Sequence, residues 1–165
     1  MSSLILKLIL AHIIGDFLLQ PSSWVQHKLI KKHASPYLYM HIGVHAVAMV
    51  ILIGFKHWAA LGIILSSHLI IDIIKIRLNS KFNKKWLFIA DQAAHIAMIA
   101  LAVYIYFPYK INYALALGNH SLLACIHLIF ITSVSSILIS LIITKWDIRD
   151  LADPNDSLEK AGLYI

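Results

Sequence analysis

Long apolar runs alternate with short basic segments along this chain. Because an α-helix rises about 1.5 Å per residue and the hydrocarbon core of a bilayer is about 30 Å thick, a run of about 20 apolar residues can cross it. Backbone groups in lipid must be hydrogen-bonded within their own segment, so such runs are helical. The pattern predicts five transmembrane helices, at Ser3–Gln20, Leu38–Phe55, Ala59–Ile76, Trp86–Phe107 and Leu122–Thr144.

The composition agrees with this pattern. The 165 residues are 60% hydrophobic, and a mean hydropathy of +0.79 excludes a soluble domain of this size. We therefore predict an all-α, polytopic membrane bundle over residues 1–144 and a cytoplasmic tail over residues 145–165. The single cysteine, Cys125, excludes an internal disulfide framework.

Ionisable residues interrupt the first four apolar runs in pairs with one spacing: His12/Asp16, His41/His45, His68/Asp72 and Asp91/His95. Residues four apart lie on one face of a helix, one turn from each other. The three aspartates are the only acids before the C-terminal tail. Because ionisable groups inside a membrane are costly unless they are paired or solvated, the pairs predict one shared polar site between helices.

The first four runs also resemble a hairpin repeat, with copies at about residues 3–56 and 59–107 and a fifth helix at 122–144. LILAHIIGDFLL aligns with IILSSHLIIDII, and HIGVH corresponds to DQAAH. Such a repeat predicts a pseudo-twofold axis along the membrane normal. Counted from the cytoplasmic ends, one layer holds Asp16, His41, Asp72 and Asp91, and the other four histidines lie about 6 Å deeper at about 1.5 Å per residue.

A metal centre is the first interpretation of this site. Imidazole and carboxylate ligands suit zinc, iron, manganese, nickel or copper, and the absence of thiolate argues against a structural zinc site of the cysteine type. We expect one or two divalent ions, zinc first and iron or manganese as alternatives, held as in the cores of other helical bundles. All eight residues are candidate ligands; His41 is the least secure, because it corresponds to an aspartate in the repeat. The competing interpretation is hydrogen bonding between helices or a proton relay.

Basic residues set the expected orientation. They concentrate between runs one and two, between runs three and four, and after run five, which places these segments in the cytoplasm and the N-terminus outside the membrane. The segment Pro21–Pro36 predicts a short interfacial helix whose Lys28, Lys31 and Lys32 face anionic lipid or a phosphate. Retention by the positive-inside rule is the simpler alternative for these lysines, and also for Lys75 and Arg77.

The run LAHIIGDFLLQP, with SHLIIDIIK and DQAAH downstream, resembles an uncharacterised bacterial inner-membrane family defined only as a domain of unknown function. The resemblance covers about residues 4–100 and implies a multi-span protein without implying an activity. A more distant similarity in the type of site connects the chain with the membrane-bound metal-dependent hydrolases.

The first functional hypothesis is a metal-dependent hydrolase that acts on a lipid or lipid phosphate at the cytoplasmic leaflet, with Asp16, Asp72 and Asp91 as catalytic carboxylates. A divalent metal ion transporter needs similar ligands, although eight strong ligands would trap the ion. A third hypothesis is a structural membrane subunit whose metal staples the helices, as a homo-oligomer or with a membrane partner. Membrane lipid is the expected partner, and nucleic acid is not.

Overall fold

The computed structural model describes residues 4–106 and 119–143, and these residues are helical almost throughout. The helices are α1 (Leu4–Ile13), α2 (Ser22–Lys31), α3 (Pro36–Ile53), α4 (Trp58–Leu78), α5 (Lys84–Tyr106), α6 (His120–Ile129) and α7 (Ser135–Ile143). A π-helical turn, Ile14–Leu18, extends α1, and another, Phe130–Val134, joins α6 to α7. The all-helical class is confirmed, whereas the predicted tail lies outside the described residues.

Four helical segments are long and apolar enough to cross a membrane: Pro36–Ile53, Phe55–Leu78, Lys84–Tyr106 and His120–Ser140. They match the second to fifth predicted spans within a few residues. The first predicted span is a shorter helix, Leu4–Leu18, which is bent by 82° from the following Ser22–Ala34. The described chain therefore has four to five candidate spans, as expected for a membrane protein.

The sharp bend after the first span has a local cause. The amide of Leu19 donates to the carbonyl of Ile14 at 2.9 Å, so the helix ends in a wide turn. Pro21 then adopts an extended backbone with ψ 148° and precedes α2. Because the residue before a proline disfavours helical geometry, α1 cannot run straight into α2. The predicted short helix in this segment is present, and it leaves the direction of the first span.

Helices α1, α3, α4 and α5 enclose one core. Helix α1 packs against α3 and α5, and α4 also packs against α3 and α5, so these four helices form a closed bundle. Its apolar core comes from α1 before His12, α3 after His45, α4 before His68 and α5 after His95, and includes Leu8, Met49, Ile64 and Ile99. The bundle thus has an apolar end and an opposite, basic end, where Lys28, Lys75 and Lys84 lie. Common origin of the two predicted repeats stays a prediction.

Candidate metal centre

All eight predicted ligands lie together inside this bundle, between its apolar core and its basic end. Seven of them are buried residues, and the side chain of the eighth, Asp16, is 9% exposed. They form three groups whose ligand atoms lie within 4.8 Å of one another: His12/Asp16/His45/His68, His41/His68/Asp72 and Asp16/Asp91/His95. Asp16 and His68 each belong to two groups, so the groups are connected.

Asp16 is the centre of the cluster. Its Oδ1 atom lies 3.0 Å from Nε2 of His45 and 3.1 Å from Nε2 of His41. The Nε2 atom of His68 is 3.5 Å from the same oxygen and 3.2 Å from Nε2 of His41. Three imidazole nitrogens from two other helices therefore converge on one carboxylate oxygen.

These separations fit a metal site. With metal–nitrogen distances of about 2.0–2.1 Å, two ligands of a tetrahedral site lie about 3.3 Å apart. The Nε2 atoms of His41 and His68 are 3.2 Å apart. Two neutral ring nitrogens at this distance repel each other unless one of them carries a proton or both bind the same cation. The donor atoms are therefore already spaced as ligands of a bound ion are.

His95 provides a further indication. Its Nδ1 atom is 2.9 Å from the backbone carbonyl of Asp91; because a carbonyl only accepts, Nδ1 carries a proton, and in the neutral ring Nε2 then has a free lone pair. That Nε2 is buried and has no hydrogen-bond partner in the described structure. Metal-binding histidines characteristically donate their other ring N–H to a carbonyl or carboxylate. His95 therefore has the tautomer that a metal ligand needs.

A cavity of about 10 Å³ lies among the histidines of four helices. Its polar lining consists of His12, His45, His68, His95 and Ser67. A volume of about 10–15 Å³ accommodates one water molecule, so this space suits a single small species. The cavity has room for an ion or a water among the imidazoles, and none for an organic substrate.

The π-helical turn at the end of α1 shapes the site. Asp16 is inside this turn, and the preceding residue, Gly15, lies directly against the imidazole of His45. A Cβ atom at position 15 would overlap that ring, so only glycine allows His45 to approach Asp16. Single π-turns inside helices are often found at functional sites. The sequence pattern did not single out Gly15, although its position beside a predicted ligand is a usable signal.

The Gln92 side chain contacts three of the candidate ligands, His12, Asp16 and Asp91. Its side-chain oxygen accepts from Nε2 of His12 at 3.2 Å, and its amide nitrogen donates to Asp16 at 2.9 Å and to Asp91 at 3.1 Å. These contacts place Gln92 where it can orient the two carboxylates. Ser67, which also lies beside the cluster, donates instead to the carbonyl of Ile64 in its own helix.

Two lysines complete the cluster at the basic end. Lys28 of α2 is only 5% exposed and lies 3.2 Å from Oδ2 of Asp72, and Lys75 lies 2.6 Å from Oδ2 of Asp91. The prediction that Lys28 faces lipid headgroups is wrong, because the bend before α2 directs this side chain into the bundle. The interpretation of Lys75 as a plain cytoplasmic anchor omitted its ion pair with a candidate ligand.

The two predicted layers are less separate than the helix register suggests. His41 and His45 belong to different predicted layers, yet both contact the same oxygen of Asp16. His41, which corresponds to an aspartate in the predicted repeat, is 1% exposed and close to Asp16, His68 and Asp72. Side-chain length and helix packing bring the layers together, so the cluster is compact.

Fold and site together define a helical bundle of membrane-spanning length with a buried His/Asp cluster. The chain belongs to the family described as "Protein of unknown function (DUF3307)", whose family model matches residues 4–124. That range contains all eight candidate ligands and both lysines, and it confirms the resemblance to an uncharacterised family. Neither a curated protein nor a solved structure matches the chain. The similarity to membrane-bound hydrolases therefore stays a prediction.

Proposed function

We propose that this protein binds one or two divalent metal ions, zinc foremost, and acts as a hydrolase on a lipid or lipid phosphate at the cytoplasmic leaflet. The main observation in support of a metal centre is that the Nε2 atoms of His41, His45 and His68 all lie within 3.5 Å of Oδ1 of Asp16. Unpaired ionisable groups are too costly in an apolar bundle to be kept without a shared partner.

The grouping of ligands supports two neighbouring ion positions. His68 is common to the group with His12 and the group with Asp72, and Asp16 is common to the group with His45 and the group with Asp91. A carboxylate can bridge two ions, and two-metal hydrolases keep their ions about 3.5–4 Å apart. Asp16, which belongs to two of the groups, would hold the ions of both.

The chemistry divides between the ions and the protein side chains. When bound, a divalent metal activates water and polarises a phosphoryl or carbonyl oxygen. Asp72 and Asp91 lie nearest the basic end, where Lys28 and Lys75 neutralise them. A substrate phosphate would be attracted to the two ammonium groups when bound metal compensates the charge of these carboxylates. This pairing of metal ligands with lysines is the support for an anionic substrate.

Access to the cluster is expected from the basic end. The opposite half of the bundle is filled by the apolar core around Leu8, Met49, Ile64 and Ile99. An ion crossing that half would lose its polar ligands, which disfavours the transporter. The structural-subunit hypothesis is the second candidate, because the cavity of about 10 Å³ among the histidines is too small for an organic substrate.

Metal analysis of the purified full chain tests the first step. We expect at least one zinc, iron or manganese ion per chain, lost in Asp16→Asn and retained in Ser66→Ala, whose side chain is exposed on α4. Absence of bound metal from a protein purified without chelator, together with failure to take up added zinc, would overturn the proposal.

Hydrolysis tests the second step. Metal-loaded protein is incubated in mixed micelles with phosphomonoester and carboxylic-ester lipids, and release of phosphate or fatty acid is followed. We expect turnover that disappears in Asp16→Asn and on chelation. Stoichiometric metal without any turnover, accompanied by a large fall in thermal stability on chelation, would instead favour the structural subunit. Uptake of the ion into proteoliposomes would favour the transporter.

A further inference from the structure

A second pocket lies at the basic end of the bundle, apart from the metal centre. It has a volume of about 270 Å³ and is lined by Lys32, His33, Ile73, Ile76, Arg77 and Ser80. None of the eight candidate metal ligands lines it. The pocket lies between the turn that follows α2 and the last turn of α4, so two segments far apart in sequence build it.

The charge of this pocket is uncompensated by acids of the described structure. Outside the C-terminal tail the chain has three carboxylates, Asp16, Asp72 and Asp91, and all three are engaged in the metal centre. Lys32 and Arg77 therefore present positive charge to a concave surface without a nearby carboxylate in the described ranges. The apolar floor formed by Ile73 and Ile76 lowers the local dielectric constant and strengthens attraction for an anion.

The turn that carries Lys32 and His33 is held in place by specific contacts. Lys32 directly follows α2 and has a positive φ of 54°, a conformation that a residue with a Cβ seldom adopts without support. The Tyr39 hydroxyl donates to the carbonyl of His33 at 3.1 Å, and the ring of His27 is 2.8 Å from the hydroxyl of the buried Ser35. The Lys32 ammonium is thus presented by a fixed turn.

The donors suit one chemical group in particular. Lys32 Nζ contacts the carbonyl of Ile76 at 3.4 Å, which positions the ammonium over the pocket and leaves further N–H donors. Arg77 is exposed and offers a planar fork of donors, and Ser80 adds a hydroxyl. A forked guanidinium, an ammonium and a hydroxyl around one concave surface match the oxygens of a phosphate.

We propose that this pocket binds a phosphate group, carried by a lipid headgroup or free in solution. The pocket is at the end of two candidate spans, where lipid phosphates would lie, and basic clusters at such positions bind anionic headgroups. It needs no metal, so the proposal stands independently of the proposed hydrolase.

Calorimetric titration of the detergent-purified full chain in 150 mM salt tests it, with short-chain phosphatidic acid, short-chain phosphatidylcholine and inorganic phosphate as separate probes. We expect phosphatidic acid to bind more tightly than phosphatidylcholine. Arg77→Ala should weaken binding about tenfold, as loss of a charge-assisted hydrogen-bonding partner does. Lys81→Ala, which removes an exposed charge at the same end but outside the pocket, should leave the affinity unchanged.

The outcomes separate the sources and the alternatives. Binding of phosphatidic acid alone supports a lipid headgroup, and binding of inorganic phosphate with the same dependence on Arg77 supports free phosphate. No binding of any probe, or equal losses of affinity in Arg77→Ala and Lys81→Ala, would overturn the proposed phosphate site. An affinity that disappears on chelation would place the phosphate at the metal centre instead. Arg77→Lys and Ser80→Ala repeat the test with smaller changes if Arg77→Ala does not fold.

Discussion

The Oδ1 atom of Asp16 lies 3.0 Å from the Nε2 atom of His45, and Gly15 makes this contact sterically accessible. Asp16 is in the π-helical turn after α1, and His45 is in the middle of α3. The turn and the glycine together bring the two helices close enough for a carboxylate to meet the imidazoles of its neighbours. The geometry of the cluster therefore depends on a residue that is not a ligand.

Replacement of Gly15 should damage the metal centre. In Gly15→Ala the new methyl group displaces the His45 ring, and loss of ligand placement lowers metal affinity by about 10–100-fold, as for residues that support ligands. The measurement is metal content after dialysis against a weak chelator. Gly43→Ala is the matched control: a Cβ there meets nothing within 4 Å. An unchanged metal content in Gly15→Ala would show that His45 is dispensable.

Removal of Lys28 should destabilise the metal-free protein. Lys28→Met leaves the buried Asp72 carboxylate without its ammonium partner, and a buried charge that loses its partner costs about 3–5 kcal/mol. Thermal unfolding of the chelated protein measures the change, with Lys31→Met on the exposed side of α2 as control. The double variant Lys28→Met/Asp72→Asn should regain much of the loss. Equal melting temperatures for both single variants would mean that the ion pair is open to solvent.

Metal should reduce the effect of that substitution. A bound cation near Asp72 replaces the missing positive charge, so the melting temperature of Lys28→Met should rise more on zinc addition than that of the unsubstituted protein. Identical zinc-induced shifts in the two proteins would indicate that Asp72 is outside the coordination sphere. His41 and His68 would then lose the third member of their group.

The tautomer of His95 gives a separate test. His95→Asn retains a donor close to the Asp91 carbonyl and removes the unpartnered Nε2. We expect this variant to fold and to lose metal, with an affinity reduced by about tenfold or more, because one ligand is missing. Nitrogen-detected NMR of labelled histidine would show the Nε2 resonance of His95 shifting when zinc is added. No shift at that nitrogen would exclude His95 from the ligands.

Gln92 should act on the metal through the carboxylates that it contacts. Gln92→Leu removes the amide donor to Asp16 and Asp91, and we expect an affinity loss of about 10–100-fold with the fold preserved. Competition with a fluorescent zinc chelator measures the affinity. Gln26→Leu, on the exposed part of α2, is the control. Equal zinc affinities for the two variants would show that Gln92 contributes to helix packing and does not support the metal.

Much of the architecture follows from the sequence pattern alone. Runs of about 20 apolar residues must be helical in lipid, and the predicted runs agree with α3, α4 and α5 within a few residues. The spacing of four residues placed both members of each pair on one helix face. The sequence therefore predicts all eight members of the cluster. Whether they bind a metal stays a prediction.

Other features depended on the tertiary structure. Lys28 is one of three lysines in a short basic segment, and nothing in that segment distinguishes the buried one. Its long side chain can reach several positions, so the direction of α2 after the 82° bend decides its partner. Gly15 likewise matters only because the His45 ring comes from another helix.

The sequence by itself determined the helices, the ligand types and the face that each ligand occupies, because hydrophobic burial and helix periodicity act over neighbouring residues. Only the tertiary structure decided that Asp16 is the centre and that Lys28 and Lys75 pair with Asp72 and Asp91. It also decided that Lys32 and Arg77 share a pocket. Contacts between distant segments depend on the bend, tilt and packing of whole helices, and short-range spacing does not encode them.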